Sequence, residues 1–408
     1  MKRSRGNALA GIIAGALIFG CSPGTPSEQS QSAAEGNNAF ALDLFGQLKA
    51  EPGNLFFSPY SISTALAMTY AGARGETEKQ MARVLHFAED QRAFHAAFGQ
   101  LQRELDSAGR QKGVELSIAN ALWAQKGYPF LRAFLRIAKD NYEASVAQAD
   151  FKTAAEAARG EINRWVAQRT KYKIQDILES GSVDAVTRLV LVNAIYFKGA
   201  WAKQFDKAGT SPNPFHLTSS RRVDVPLMHH QDNVKYMENE DFQAVELPYT
   251  GGTLSMVILL PRQIEGCGQL EDRLTPALLA DTLKQMREQK VEIYLPRFKL
   301  ESSFKLNSTL ASMGMTDAFG MQADFSGMDG TKNLFISAVF HKAWGEVNEE
   351  GTEAAAATAV VATVKSVAPR LPSFRADHPF IFFIRDTRSG SLLFLGRLAD
   401  PSNGPATP

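Results

Sequence analysis

The chain has 408 residues, 44% of them hydrophobic, so it can bury a large core and is neither a disordered nor a fibrous protein. Its formal net charge is +1, with Lys and Arg mixed among Asp and Glu along the whole length, so neither a nucleic acid nor an anionic surface is an expected partner. No Pro-, Gly- or Ser-rich linker interrupts residues 40–400, and this favours one large domain over several.

Residues 1–20 have the composition of a signal peptide. A positive n-region with Lys2, Arg3 and Arg5 precedes twelve apolar or small residues, 8–19. This run is too short to span a bilayer, which requires about 20 helical residues. We therefore expect an exported protein.

Residues 18–21 (IFGC) resemble the lipobox of bacterial lipoproteins, in which the cysteine is lipidated and becomes the new N-terminus. The resemblance implies a cell-envelope lipoprotein, at the outer membrane or the cell surface, that meets the membrane only through Cys21. The alternative is a secreted protein with an incidental cysteine. Residues 21–37 are small and polar, which predicts a flexible tether. With Cys21 acylated, Cys267 is the only thiol left, and no intramolecular disulfide is expected.

Helical patterns dominate the first half of the chain, and strand patterns the second. Apolar residues recur at helical spacing at 40–48, 61–71, 77–87, 94–105, 129–141 and 154–170. Val114, Leu116 and Ile118 alternate with a period of two and predict a strand among these helices. The apolar run at 189–197 predicts a strand buried on both faces. Further strands are predicted at 254–260, 291–295 and 334–347, with a hairpin at 380–397 that turns at 387–390.

Catalytic motifs are not found in the sequence: it contains no GxSxG, HExxH, P-loop or GxGxxG pattern. His229 and His230 are candidate metal ligands, but adjacent side chains in a strand point to opposite faces, which favours a surface or loop pair. Because no local signature supports a catalytic triad, a hydrolase is a poorly supported function. We expect no catalytic residue, no metal and no cofactor.

Five segments of the sequence resemble the serpin family. They are NLFFSPYSISTALAMTYAGARGETEKQM at 54–81, LVLVNAIYFKGAW at 189–201, YLPRFKL at 294–300, HKAWGEVNEEGTEAAAAT at 341–358 and HPFIFFIRDTRSGSLLFLGRL at 378–398. The resemblance covers nearly all of residues 38–400, in the family's order and spacing. It implies an α+β serpin domain at 38–401, followed by a tail at 402–408. The implied fold has about nine helices, a large central mixed sheet, two smaller sheets and an exposed reactive-centre loop at about 349–372.

The function that the resemblance implies is suicide inhibition by a monomeric protein that is not an enzyme. In this family a serine protease attacks the loop, forms an acyl-enzyme and is trapped in a 1:1 covalent complex when the cleaved loop inserts into the central sheet. Together with the N-terminal segment, the chain is most similar to a bacterial, lipid-anchored, inhibitory member. The alternative is a non-inhibitory serpin that acts as a carrier or chaperone, although such members often carry charged or bulky hinge residues.

The start of the loop suits insertion into a sheet. Every second side chain of an inserted strand must enter the core, and the set beginning at Thr352 is small or β-branched and uncharged, whereas Glu353 falls on the other face. Gly351 stands where the chain must bend. The alternative is an alanine-rich helix that only links two strands. The predicted hinge consists of Glu349, Glu350, Gly351, Thr352, Glu353, Ala354, Ala355, Ala356, Ala357 and Thr358.

The family's spacing, counted from the acid that matches Glu349, places the reactive bond between Lys365 and Ser366. A long basic side chain followed by a small residue suits a trypsin-like protease, whose acidic pocket would pair with the ammonium group. Val364 also suits elastase-like or subtilisin-like proteases, and some cysteine proteases remain candidate targets. Arg370 is a rival basic site.

Six residues match the family positions at which the central sheet opens: Ser58, Ser61, Asn193, Trp201, Arg297 and His341. The serines, the asparagine and the histidine are expected to form a polar cluster beneath the central strands. Trp201 is expected near the place where the loop inserts, and Arg297 is expected to pair with Glu349. The alternative is that these are ordinary core and capping groups. Trp344 and Gly345 depart from the family's β-branched residues, and a glycine inside a strand weakens it or marks a bulge.

Overall fold

The computed structural model describes residues 28–88, 90–142, 145–352 and 371–404. This part of the chain forms ten α-helices, fifteen strands and two short 3₁₀ helices. The α-helices are α1 (Glu28–Leu48), α2 (Pro59–Tyr70), α3 (Gly75–Leu85), α4 (Gln91–Gly109), α5 (Arg132–Tyr142), α6 (Phe151–Arg169), α7 (Cys267–Asp272), α8 (Pro276–Gln285), α9 (Asn307–Ser312) and α10 (Ser326–Asp329). The strands are β1 (Leu55–Phe57), β2 (Val114–Gln125), β3 (Ser145–Ala149), β4 (Leu189–Ala200), β5 (Ser211–His216), β6 (Arg222–Glu238), β7 (Phe242–Pro248), β8 (Leu254–Pro261), β9 (Arg287–Pro296), β10 (Phe298–Lys305), β11 (Ala338–Val347), β12 (Gly351–Thr352), β13 (Ser373–Arg375), β14 (Phe380–Asp386) and β15 (Leu392–Leu398). The 3₁₀ helices are Lys207–Gly209 and Asp317–Phe319.

The strands form two hydrogen-bonded sheets. The central sheet has the order β10-β11-β4-β2-β3, and the short β12 pairs with one end of β4. The second sheet has the order β1-β15-β14-β8-β7-β6-β9-β13, with β5 paired to β6. Where two smaller sheets were predicted, the long strands β6 and β9 join all of these strands into one sheet. The central sheet is mixed, because β4 runs parallel to β11 and antiparallel to β2.

Strand β4 lies between two hydrophobic cores, as its unbroken apolar sequence predicts. Ile195 and Phe197 belong to the main core, which lies between the two sheets and the first five helices. Val192 and Ala194 belong to a second core beneath α6. The strand next to it, β11, is paired with β4 directly from Ala338 to Gly345. We call this parallel pair of strands the seam.

The α+β fold class is confirmed, and the six predicted helices correspond to α1 through α6. The predicted tether is wrong over residues 28–37, because α1 begins at Glu28. Ser30, Ala34 and Asn37 are buried there, and the Asn37 amide donates to the carbonyl oxygen of Leu392 at 3.0 Å. The buried face of this part of α1 consists of small and polar residues, so the sequence shows no apolar periodicity that would predict the helix. Within the described ranges, no helix has both the length and the hydropathy needed to cross a bilayer.

Candidate loop-insertion site

The chain reverses direction at the end of β11. Asn348 and Gly351 exchange two backbone hydrogen bonds, at 2.8 and 3.1 Å, so that Glu349 and Glu350 are the central residues of a tight turn. We call residues 348–351 the hinge turn. Gly351 has a φ of +127°, and a Cβ atom at this position would collide with the carbonyl oxygen of Gly199. Only glycine fits here, and the chain bends at the glycine that the sequence indicates.

The hinge turn directs the chain back along β4. Strand β12 is antiparallel to β4, with Gly351 opposite Ala200 and Thr352 opposite Gly199. Beyond this contact β4 and β11 are direct neighbours along the seam. The two residues of β12 thus lie at one end of the seam, in the orientation that a strand inserted between β4 and β11 would have.

Glu349 is a buried carboxylate with two charged or polar partners. Its side chain is 3% exposed, and the Nε atom of Arg297 donates to it at 2.7 Å. A second guanidinium N–H and the hydroxyl group of Thr210 donate to the same oxygen. Burial alone would raise the pKa of Glu349, but these donors outweigh it and hold the pKa below its ordinary value. The structure therefore brings Arg297 and Glu349 together, and the ion pair ties the hinge turn to the junction of β9 and β10.

The hinge turn is also held through its backbone. The Trp201 indole donates to the carbonyl oxygen of Asn348 at 3.0 Å, and the Trp201 backbone N–H donates to that of Glu350, also at 3.0 Å. The backbone N–H of Phe205 donates to the carbonyl oxygen of Glu349 at 2.8 Å. Trp201 is itself fixed by stacking on Tyr249, with ring centroids 4.7 Å apart. On the exposed side, Lys207 pairs with the Glu350 carboxylate at 2.6 Å.

A buried polar cluster lies farther along the seam, on the side of α2. The Nδ1 atom of His341 donates to the Asn193 side-chain oxygen, and the Asn193 amide donates to the Ser61 carbonyl oxygen at 2.7 Å. The N–H of Ser58, the residue that caps α2, donates to Nε2 of His341 at 3.1 Å. His341 must therefore be neutral, and burial lowers its pKa to about 3. The structure brings all four predicted members of this cluster together.

The sequence reasoning missed a fifth member of the polar cluster, Asn120. Its side-chain oxygen accepts from the Asn193 amide and from the hydroxyl group of Ser61, the latter at 3.2 Å. Asn120 and His341 are the register partners of Asn193 on its two sides. The cluster therefore links β2, β4 and β11 to the start of α2. A signal was present, because Asn120 continues the apolar alternation of Leu116 and Ile118 as a lone polar residue.

Of the two outcomes expected for a glycine inside this strand, a weakened strand or a bulge, the bulge is not found at Trp344 and Gly345. Both residues keep an unbroken register, with Glu301 and Leu300 on one side and β4 on the other. A Cβ atom on Gly345 would lie 3.1 Å from the ring of Phe56, so the glycine provides room for that ring. Trp344 points to the opposite face of the sheet and is 8% exposed.

His229 and His230 do not form a metal site. His229 contacts Glu292 at 3.2 Å, whereas His230 stacks on Phe205 with ring centroids 3.9 Å apart. The two rings lie on opposite faces of β6, as adjacent strand residues must. Across the part of the chain that the structure describes, no group of three or more His, Cys, Asp or Glu side chains could hold a metal ion.

Several predicted positions lie outside the described residues. They are Cys21, Glu353, Ala354, Ala355, Ala356, Ala357, Thr358, Val364, Lys365, Ser366 and Arg370. The first part of the hinge, from Glu349 to Thr352, is among the described residues.

Comparison with known proteins accounts for this arrangement of a mixed sheet, a seam and a hinge turn. The family model for Serpin (serine protease inhibitor) matches residues 35–401. Leukocyte elastase inhibitor of Sus scrofa is 46% identical over 375 residues, which cover 90% of this chain and 98% of the relative. An uncharacterized serpin-like protein of Thermococcus kodakarensis is 44% identical over 370 residues, covering 90% of this chain and 85% of the relative. The crystal structure of uncleaved ovalbumin superposes with a TM-score of 0.81 at 33% identity, covering 91% of this chain and all of that one. The chain belongs to the serpin family.

Proposed function

We propose that this protein is an inhibitory serpin, which traps a serine protease in a 1:1 covalent complex by inserting its cleaved loop between β4 and β11. The observation that carries the proposal is the hinge turn. It already places β12 antiparallel to β4, at the end of a parallel seam. An inserted strand would replace this parallel pairing by two antiparallel ladders, and antiparallel pairing is slightly more stable per residue. Insertion would therefore lower the free energy of the sheet.

The register of β12 supports insertion of the following residues. Extended along β4, it places Ala354 opposite Phe197 and Ala356 opposite Ile195, on the face of the main core. Small side chains suit these buried positions. Glu353 falls on the other face, opposite the half-buried Lys198, whose charge would compensate it.

The next inward position supports the same register. Thr358 falls opposite Asn193, so an inserted threonine would add a hydroxyl group beside the polar cluster. A residue that can donate and accept hydrogen bonds suits this buried polar surrounding better than an apolar residue of the same size. The hinge sequence therefore complements β4 at each inward position from Ala354 to Thr358.

The proposed target is a serine protease with elastase-like specificity, which would attack the Val364–Lys365 bond, whereas a trypsin-like protease would attack Lys365–Ser366. Relatives named leukocyte elastase inhibitor favour that specificity, and Val364, one residue before Lys365, suits a pocket for small aliphatic side chains. A trypsin-like target has Lys365 alone in its favour. The two classes separate in one experiment: Lys365→Ala should abolish the complex with trypsin and leave the complex with leukocyte elastase intact.

The inhibitory mechanism itself is tested by incubating the protein with each protease and looking for a complex that survives boiling in detergent. Formation of that complex is the expected result, together with a higher denaturation temperature for the cleaved protein. A cleaved loop without a complex would overturn the proposal and favour a carrier or chaperone. Repeated turnover of small ester substrates would favour a hydrolase.

We further propose that the protein is exported as a monomer and anchored through lipid on Cys21. Because α1 begins at Glu28, only six residues separate the two, which span at most about 20 Å when extended. The anchored domain would then lie close to the membrane surface. Cys21→Ser should move the protein from the membrane fraction to the medium or periplasm, and an unchanged membrane fraction would refute the anchor.

A further inference from the structure

Two aromatic rings face each other across the seam on the side of α6. Tyr196 of β4 and Trp344 of β11 are register partners, and their ring centroids are 5.4 Å apart. They are only 2% and 8% exposed and belong to the second core. Along β4, Tyr196 lies between Gly199, where the hinge turn meets the strand, and Asn193 of the polar cluster. An inserting loop must therefore pass between these rings before it reaches the polar cluster.

A lysine from the segment after α6 completes the group. The Nζ atom of Lys173 lies 4.9 Å from the Trp344 ring centroid and 5.9 Å from that of Tyr196. The same segment is tied to β11 at a second point, where Lys342 donates to the carbonyl oxygen of Gln175 at 2.9 Å. The segment after α6 is thus fastened over the seam. We call Lys173, Tyr196 and Trp344 the seam cluster.

Insertion of a strand is incompatible with the seam cluster. Paired strands lie about 4.8 Å apart, so one inserted strand separates β4 from β11 by roughly 10 Å. Aromatic pairs interact at about 4.5–7 Å, and a cation must lie within about 6 Å of a ring centroid. Lys173 then cannot contact both rings. In the register of β12, Ala355 falls opposite Tyr196, and a small residue there fits between the separated rings.

We infer that the seam cluster sets the rate of loop insertion, an inference that rests on the proposed function. It is complete only while the sheet is closed, so breaking it is part of the barrier to insertion. Trp344 thereby has a role in the reaction: it replaces the family's β-branched residue with a large ring that Lys173 covers. A slower insertion step gives the protease more time to deacylate and escape, so the seam cluster also determines how much of the inhibitor is lost as a cleaved substrate.

The chain provides a matched control. The guanidinium of Arg169 lies 5.5 Å from the Trp165 ring centroid, and Trp165 packs against Trp123 of β2 at 5.9 Å. This is also a cation over an indole at the end of α6, but Trp123 is on a strand beyond the seam. Lys173→Gln and Arg169→Gln therefore remove the same kind of contact, on and off the path of insertion.

The experiment measures uptake of a synthetic peptide with the sequence of residues 352–364, followed by the loss of protease inhibition. We expect Lys173→Gln to accelerate uptake about three- to fivefold and Trp344→Val about tenfold. Lys173→Arg keeps a cation over the rings and should insert the peptide at the parent rate. Arg169→Gln should leave the rate unchanged. The fraction of inhibitor cleaved without forming a complex should fall in the order of the uptake rates, and thermal denaturation of each variant reports its stability separately.

Two negative results are distinguishable. A parent that takes up peptide and forms protease complexes, but whose Lys173→Gln and Trp344→Val variants insert at the parent rate, would overturn the role of the seam cluster alone. An equal acceleration in Arg169→Gln would also overturn it, because a general loss of stability would then explain the rates. A parent that neither takes up peptide nor forms a complex would refute the proposed function and the seam cluster's role with it.

Discussion

Replacing Arg297 by alanine leaves the Glu349 carboxylate buried without its cationic partner. Breaking a buried ion pair from one side typically costs about 3–5 kcal/mol. The side chain of Arg297 is 42% exposed, so water can enter the space that it leaves, and Thr210 still donates to the carboxylate. We therefore expect a loss of about 1–2 kcal/mol. For a domain of this size, that corresponds to a denaturation midpoint lower by about 1–3 °C.

The adjacent turn residue gives a control. Lys207 pairs with Glu350, but its side chain is 66% exposed, and such surface pairs contribute about 0–1 kcal/mol. Thermal denaturation of the uncleaved protein should therefore separate Arg297→Ala from Lys207→Ala at pH 7.5. Equal losses in the two variants would refute the argument from burial.

The pH dependence provides a second test of the same reasoning. In the parent, the pKa of Glu349 is lowered, so its contribution to stability is present above the unfolded value of 4.5 and is lost as the pH falls through the folded value. In Arg297→Ala, burial should instead raise this pKa. The difference between parent and variant should thus be greatest at neutral pH and shrink as the pH falls through the variant's raised pKa towards the parent's lowered pKa. A difference that does not change between pH 7.5 and 4 would contradict the assignment of an ionised, paired Glu349.

Three further predictions concern the seam and its hinge. The pKa of His341 falls from 6.5 to about 3 on folding, so stability should decline as the pH falls from 6.5 towards 3. The decline due to this group is about 1.4 kcal/mol per pH unit, and His341→Gln should remove it from the pH dependence of the denaturation midpoint. Gly351→Ala should lower the midpoint through a loss of about 1–3 kcal/mol, because its positive φ and the nearby Gly199 carbonyl oxygen exclude a Cβ atom. Ala354→Glu should turn the inhibitor into a substrate that is cleaved without complex formation on gels, whereas Glu353→Ala should still form the complex, since only the first change places a carboxylate in the main core.

The sequence predicts those parts of the fold in which one local pattern dominates. Apolar periodicity indicates the first six helices, apart from residues 28–37 of α1, and an unbroken apolar run indicates the doubly buried β4. Strands β5, β6 and β7 were not predicted, although together they cover much of residues 211–248. In β6 the alternation is interrupted by a polar stretch that includes His229 and His230. Its pairing with β9, rather than its own hydrophobicity, maintains it as a long strand.

In the candidate site, the residues that could be predicted are those that match a family motif. Residues that match a family motif, such as Arg297 and Glu349, could be placed together from the sequence alone. The contacts of Asn120 and Lys173 could not be predicted in this way. Asn120 bonds to Asn193, which is 73 residues away, and Lys173 lies over the ring of Trp344 on β11. The residues next to them in the sequence do not indicate either contact. The reason for a glycine at 345 could not be predicted either, since the ring of Phe56 that fills its space comes from a distant strand.

The position of the hinge turn determines which contacts control insertion. Bringing two chain segments together has an entropic cost that must be met before the first pair forms. Here that pair exists, because Gly351 and Thr352 are already bonded to β4 in the uncleaved chain. The barrier must therefore lie farther along the seam, where the next residues separate Tyr196 from Trp344 and then His341 from Asn193. Substitutions in the hinge turn should accordingly alter the stability of the uncleaved form most, and substitutions along the seam should alter the rate.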